Sequence, residues 1–513
     1  MYATLGVIAA CIILYFLYDK WCRTYFSRQG IPGPPSIPVF GNFTEWFVVF
    51  HDVFAGYFKK YGKVVGVYSF RKPILLVADV DIARKILVKD FDCFVNREQN
   101  RLNTGIIRSS LVAARDDRWR RTRNLLSPTF ANIKLKKMVP LMRDCGEVLV
   151  SVFSEREAAG KPIECKDLYG GFAMDVVGSC AFGMRVNSLV NKDDPFITNA
   201  KKAFSFSITN PILLLSMLFP WLTPVINFFY KHGVFPEDVE KFFMGVFEKT
   251  IAERNADDTS ENSDFLRLML NAHKEKDDAG HATEVEDGIS DLAQETGWKP
   301  AQKTALDMKE ILGNSVGFFL AGFETTSTAL GFLSYLLATN ESVQDRLIAE
   351  VARMAPTLDD VTFEVITKME YLNMVVMETL RFYPPGEIVE RECNKDVTYN
   401  GMTIKKGQYI FIPTWNINHD PDLWPNPDTF DPERFSKERR ANNHPSGWVP
   451  FGLGPRSCIG VRFAILEIKV AVVCILQKYR FEPGPETEIP PKLGNLGFLT
   501  PPNGINLRVR PIH

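Results

Sequence analysis

The chain has 513 residues, 46% of them hydrophobic, and a formal net charge of −1 at pH 7. That length can bury one very large core or two to three ordinary domains. The near balance of 60 basic and 61 acidic side chains excludes the broad basic surface that nucleic acid requires.

The first 18 residues carry no charged side chain, and Val7–Tyr18 is almost entirely apolar before Asp19, Lys20, Arg23 and Arg28. A bilayer span needs about 17–25 residues. A cleaved signal peptide would have a basic start and a small-x-small cleavage site, and neither is present. The basic flank places the body on the cytosolic side, so the segment reads as a signal anchor. Nine cysteines without a C-x-x-C pair agree with a reducing compartment. The expected organisation is an anchor over 1–19, a basic and proline-rich hinge over 20–40, and a catalytic body over 41–513.

Gly30–Pro35 is too rich in proline for helix or central strand. Lys63–Ala78 alternates, with a break at Arg71–Pro73, and reads as a hairpin. From about residue 115 helical spacing dominates, so the fold class is mainly α with a small β region. Pro211–Phe235 is apolar but interrupted by prolines. A core helix is one reading; the anchor favours a loop dipped into the same membrane beside the substrate entrance. Lys274–Thr304 is charged and reads as an exposed loop. Thr304–Thr339 lacks proline and predicts a helix about 50 Å long, with Thr304 and Asp307 forming a capping box.

Chemistry concentrates at three places. Within the long helix, Phe318, Ala321, Gly322, Thr325 and Ala329 share a face. Small residues there leave room for a flat ligand and a diatomic. Thr325 adds a hydroxyl and Glu324 an acid, the pair that cleavage of dioxygen needs for protons and a hydrogen bond. The plain alternative is a threonine bonded back to the Ala321 carbonyl. Glu378 and Arg381 stand at i, i+3 in apolar surroundings, and a buried pair is tolerable only with further partners; Arg434 is the expected third member.

The third place is Phe451–Gly460, with the pattern F-x-x-G-x-R-x-C-x-G. A lone cysteine is ordinarily a small buried hydrophobe. Here Cys458 opens a helical segment whose N–H groups favour a negative sulfur. Gly454 and Gly460 permit tight folding and close approach to a flat ligand, and Arg456 can bind an acidic group such as a haem propionate. A thiolate ligand to haem iron fits this dressing.

These motifs resemble the cytochrome P450 family from the anchor to the C-terminus. Ser127–Pro140 and Met174–Ser179 look like the animal branch that contains the vertebrate 3A drug-metabolising enzymes and thromboxane synthase. The resemblance implies the cytochrome P450 fold with one N-terminal transmembrane helix, and haem b held at iron by Cys458. It implies haem contacts from Arg97, Trp119, Arg123, Arg391, Phe451, Arg456 and Gly460, and oxygen activation by Glu324 and Thr325. Glu378, Arg381 and Arg434 become a structural core. Phe318, Ala321, Gly386 and Glu387 become pocket residues, although the resembling enzymes are apolar at the last two positions. The implied reaction is insertion of one atom of O2 into a lipophilic xenobiotic, steroid or fatty-acid-like molecule. Electrons would come from NADPH through NADPH–cytochrome P450 reductase, with cytochrome b5 as a second donor. The remaining basic residues near Trp119, with Lys134, Lys136 and Lys137, would form the docking face. The expected location is the endoplasmic reticulum membrane, with the body in the cytosol. Two rivals are an endoperoxide isomerase of the thromboxane-synthase type and a haem-based sensor. The role of an enlarged loop at Gly280–Pro300 does not follow from the resemblance.

Overall fold

The computed structural model describes residues 2–47, 49–97, 105–191, 193–204, 210–230, 236–256, 264–274, 305–494 and 498–512. The expected loop at Gly280–Pro300 lies outside them. Helix α1 spans Tyr2–Cys22 and is long and apolar enough to cross a membrane. It runs past residue 19, where buried Asp19 pairs with Arg23 at 2.7 Å.

The 20–40 segment is strapped to the body. Arg23 Nη1 donates to the Ser36 carbonyl at 2.9 Å, and Gly66 N donates to the Pro32 carbonyl at 2.9 Å. Gly33 is required there, because a Cβ would stand 2.0 Å from the Gly66 carbonyl oxygen.

Helix α2 (Phe50–Tyr61) precedes the expected hairpin, β1 (Val64–Ser69) and β2 (Lys72–Val77), which pair antiparallel. Phe70 at its tip takes φ +55°. The hairpin belongs to a four-stranded sheet of order β1-β2-β7-β4, with β4 at Ile388–Glu392 and β7 at Tyr409–Pro413. β2 and β7 are parallel; β4 and β7 are antiparallel, with Arg391 opposite Ile410. Short strands complete two smaller sheets: β3 (Ile163–Glu164) with β8 (Tyr479–Pro483) and β9 (Asn506–Pro511), and β5 (Val397–Tyr399) with β6 (Met402–Ile404).

The helical body contains α3 (Asp116–Leu126), α4 (Asn132–Ala158) and α5 (Cys165–Phe182). Then come α6 (Pro211–Leu218) and α7 (Thr223–Phe229), which with the 3-10 turn between them form a pair bent by 113°. Residues 231–235 of that apolar stretch are outside the described set. The long helix α8 covers Met308–Thr339. Its described start is later than Thr304, and the capping box is Asp307 with Glu310, whose N–H donates to Asp307 Oδ1 at 2.7 Å. α8 is apolar almost all round, as a central helix must be. It lies close against α5 because Gly322 and Gly170 have no side chains: Cβ atoms there would meet Val177 Cγ2 at 2.6 Å and Phe323 Cε2 at 2.9 Å. Helices α9 (Glu370–Phe382), α10 (Thr414–Asn418) and α11 (Val461–Leu476) pack the other side of the core.

Candidate active site

A cavity of about 410 Å³ lies between α8, the loop before α11, α3 and the first residues of β4. Cys458, Phe451 and Gly460 line it from one side, and Phe318, Ala321, Gly322 and Thr325 from α8. Arg97, Trp119, Arg123, Gly386 and Arg456 also border it. Ala329, expected on the same face of α8, is instead buried in the core.

The cysteine loop turns back on itself through the Cys458 N–H, which donates to the Phe451 carbonyl at 2.9 Å. Gly452 and Gly454 take φ +70° and +72°, a region glycine enters without a Cβ penalty. Gly454 does not approach a ligand as expected. It approaches Leu87, whose carbonyl oxygen would be 1.9 Å from a Cβ; of the loop's glycines, Gly452 and Gly460 are the ones at the cavity. The Cys458 sulfur opens onto the cavity, yet protein encloses that space. Burial therefore raises the thiol pKa, while the Gly460 N–H, Arg123 and Arg97 pull it back.

Arg123 and Arg97 act directly on this sulfur, and Arg391 and Arg456 cluster with them. Arg123 Nη1 donates to the Ser457 carbonyl at 2.9 Å, and Arg97 Nη2 to the Arg456 carbonyl at 3.4 Å. Arg456 is held by the carbonyls of Val95, Ala114 and Val112 at 2.6, 2.7 and 3.1 Å and sits over the Trp119 ring. Its two terminal nitrogens are thus already engaged by backbone. Arg391 Nη1 donates to the Glu390 carbonyl, while its Nε and Nη2 are buried without a partner. Burial is the first cause that lowers the pKa of all four, and neighbouring guanidiniums add to it for Arg123, Arg391 and Arg456. A guanidinium stays charged in proteins. Such a cluster calls for an anion: Arg97 and Arg123, which border the cavity, fit the carboxylates of a haem edge, whereas Arg391, with its orphaned donors, is not among the lining residues.

The acid and the alcohol of α8 are turned apart. Thr325 Oγ1 borders the cavity and donates back to the Ala321 carbonyl at 2.7 Å. Glu324 is buried and does not line the cavity: Lys166 Nζ at the start of α5 lies 2.7 Å from its Oε1, and Thr500 Oγ1 donates to it at 3.4 Å. Proton supply from this carboxyl therefore requires a change of rotamer. Sequence reasoning missed Lys166, whose contact with Glu324 spans 158 positions.

Glu387 is a correction. Gly386 borders the cavity, but Glu387 turns away from it and is 2% exposed. Its Oε1 lies 2.7 Å from His51 Nδ1 of α2. A carboxylate facing an apolar cavity would be uncompensated, whereas histidine behind the wall gives it a partner.

Glu378 and Arg381 form a fully buried bidentate pair, 2.7 and 2.8 Å. Arg434 Nε stands 3.3 Å from Glu378 Oε1, and the Asp431 N–H donates to that oxygen at 3.0 Å. Carbonyls of Asn418, Pro427, Pro425 and Asn426 take the remaining guanidinium donors. These partners meet the burial condition for Glu378 and Arg381, while Arg434 Nε has only its charge contact with Glu378. The other arginines near Trp119 are paired: Arg115 with Glu392, Arg118 and Arg121 with Glu310, and Arg120 with Asp92. Lys136 pairs with Glu364.

Comparison with known proteins agrees with this geometry. A family model described as Cytochrome P450 matches residues 31–509. Cytochrome P450 3A6 of Oryctolagus cuniculus is 38% identical over 504 residues, covering 98% of this chain and 96% of the relative. Cytochrome P450 3A29 of Sus scrofa is 37% identical over 506 residues, with coverage of 98% and 96%. Cytochrome P450 3A13 of Mus musculus is 38% identical over 504 residues, with coverage of 98% and 95%. With the thiol, the arginine cluster and the α8 face around one cavity, these matches establish that the chain belongs to the cytochrome P450 family of haem-containing monooxygenases.

Proposed function

We propose that this protein is a membrane-anchored haem-thiolate monooxygenase of lipophilic small molecules, xenobiotics or steroids foremost, supplied with electrons from NADPH by a separate reductase. The observation that carries the reading is a cavity with one cysteine sulfur on its wall and three arginines, Arg97, Arg123 and Arg456, at its edge. Cys458 Sγ would hold the iron, and Arg97 and Arg123 the propionates, with Trp119, Arg391 and Arg456 bracing that edge. Bound haem supplies the redox chemistry, by which one atom of dioxygen enters a C–H bond and the other leaves as water.

The chain's own part is binding, exclusion of water and movement of protons. Phe318, Ala321, Leu111 and Val112 give the cavity apolar walls that desolvate the substrate. Thr325 Oγ1 can turn from the Ala321 carbonyl to donate into the cavity. Glu324 can reprotonate that hydroxyl once its carboxyl leaves Lys166. We assign Glu378, Arg381 and Arg434 to holding the cysteine side of the fold, and residues 1–19, 20–40 and 41–513 to anchor, strap and catalytic domain. The apolar N-terminal helix supports residence in a membrane; we assign that membrane to the endoplasmic reticulum and take cytochrome b5 as a second electron donor.

The test is spectroscopic and kinetic. Reduced protein under carbon monoxide should give the red-shifted Soret band of a thiolate-ligated haem, and Cys458→His should lose it. Retention of the band in that variant overturns the ligand assignment. Product formation should consume NADPH in the presence of reductase. Turnover of an endoperoxide without electrons would favour the isomerase reading instead.

A further inference from the structure

The His51–Glu387 pair lies outside the chemistry described so far and is more elaborate than a wall position requires. Both side chains are buried, at 6% and 2% exposure. The ring of His51 stacks on Trp415 of α10 with centroids 4.1 Å apart, and Trp415 stacks on His419 at 4.1 Å. The Asn416 side chain donates to the His51 carbonyl at 3.0 Å, and the Thr414 N–H donates to the Glu387 carbonyl at 2.8 Å. The pair thus ties α2 and α10 to the segment that enters β4. Asp52 is the other charged group close to the ring, 3.9 Å from His51 Nε2.

What this segment carries is Gly386. Its φ is not left-handed, and a Cβ there would have nothing within 4 Å. Neither backbone conformation nor packing demands glycine. Its missing side chain instead enlarges the cavity that it borders. On the other side, α2 shares an apolar cluster with Leu214, Met217 and Leu218 of α6 and with Ile388 of β4. The pair therefore connects the bent apolar helices to the cavity wall.

We propose that His51 and Glu387 are positioning residues for substrate selection, fixing the Gly386–Ile388 wall so that the widened cavity admits bulky, rigid lipophiles. This rests on the cavity being the substrate site. The pair acts through the wall: His51 draws the carboxylate backward, which keeps the wall apolar and its backbone in place.

The experiment compares the holoenzyme with His51→Phe/Glu387→Met. An apolar replacement of both members of a buried polar pair is commonly tolerated, whereas removing one leaves the other buried without its partner. Binding of a fused-ring steroid and of a linear fatty acid is titrated by the haem absorption shift, alongside thermal unfolding. The ratio of the two dissociation constants should move by about tenfold against the steroid, in the range that pocket shape commands. Should the double variant not fold, His51→Phe/Glu387→Gln, which leaves no carboxylate behind, decides on the same ratio. An unchanged ratio in a folded variant overturns the inference, because a merely structural pair would alter stability without selectivity. If neither ligand perturbs the wild-type haem spectrum, it is the substrate-site reading that fails.

Discussion

Lys166 Nζ lies 2.7 Å from Glu324 Oε1 and 2.8 Å from Thr328 Oγ1, so a cation from α5 holds the acid of α8 on the side away from the cavity. Burial lowers the Lys166 pKa, with Glu324 opposing the shift. Lys166→Met leaves a largely buried carboxylate without its cation and should lower stability by about 2 kcal/mol, somewhat less than a fully buried pair loses. Adding Glu324→Gln should recover about 1 kcal/mol of that loss, because contacting residues are not additive. Denaturant unfolding of the two single variants and the double variant measures the coupling; simple additivity would show that the two side chains do not interact.

Thr325→Ala removes a hydroxyl that bonds its own helix, so fold and haem content should be kept. The role proposed for it in oxygen activation predicts that reducing equivalents go to hydrogen peroxide at the expense of product. General-acid groups of this kind contribute about 10²–10⁴-fold. The ratio of product formed to NADPH consumed should fall sharply while substrate dissociation constants stay put. An unchanged ratio would leave the hydroxyl with only its bond to Ala321.

Much of this site was legible because its signals are local. The cysteine loop, the hairpin and the α8 face each sit within a short run, where spacing fixes direction. The bond from Thr325 to Ala321 is local too, and was one of the two readings its position allowed. The directions of the Glu387 and Glu324 side chains were hidden for the opposite reason. Each turns toward a partner far along the chain, 336 positions in one case and 158 in the other. No periodicity in a strand or helix names such a partner. Gly454 shows a related limit: a glycine signals close approach without saying to what, and here it is the Leu87 backbone.

Lys469 of α11 is buried, and its pKa is lowered from 10.5 to about 8, chiefly by burial, with Glu350 opposing. Between those values the unfolded chain holds a proton that the folded chain does not, so stability rises with pH across that window. Below pH 8 the cost of charging the buried amine is carried in full, about 3 kcal/mol. Glu350 keeps its bonds from the N–H groups of Tyr371 and Leu372 at 3.0 and 2.8 Å. Lys469→Met should therefore stabilise the protein at pH 7 by about 1–3 kcal/mol, with the advantage fading toward pH 10.5. Chemical unfolding at several pH values checks this. A gain that does not vary with pH would be one of packing alone.

The proposed docking face reduces to Lys134 and Lys137, which have no ion-pair partner among the described residues, whereas Lys136 is taken by Glu364. Opposite charges steer encounter over about 8 Å at physiological ionic strength. Lys134→Glu/Lys137→Glu should slow reductase-driven turnover, most at low salt. Turnover driven by added peroxide bypasses the donor and should be spared. Equal loss in both assays would move the docking face elsewhere.

Beyond α1, the most exposed large apolar side chains among the described residues are on the bent pair α6 and α7 and the turn between them: Trp221, Phe228 and Phe229 are 71%, 73% and 74% exposed. Arg71 at the hairpin tip donates to the Tyr15 hydroxyl of α1 at 2.7 Å and to the Leu218 carbonyl, so anchor and bent pair present apolar side chains from one region of the molecule. A fully buried aromatic or leucine side chain gains about 1.5–3 kcal/mol on leaving water, and three of them suffice for measurable attachment without a span. Protein lacking residues 1–28 should therefore still partition onto liposomes and be released by detergent. Trp221→Ser, Phe228→Ser and Phe229→Ser together should reduce that partitioning by at least about tenfold, since each tenfold step needs only about 1.4 kcal/mol. A truncated protein that ignores liposomes would leave α1 as the membrane contact and remove the case for substrate entry from the bilayer beside α6.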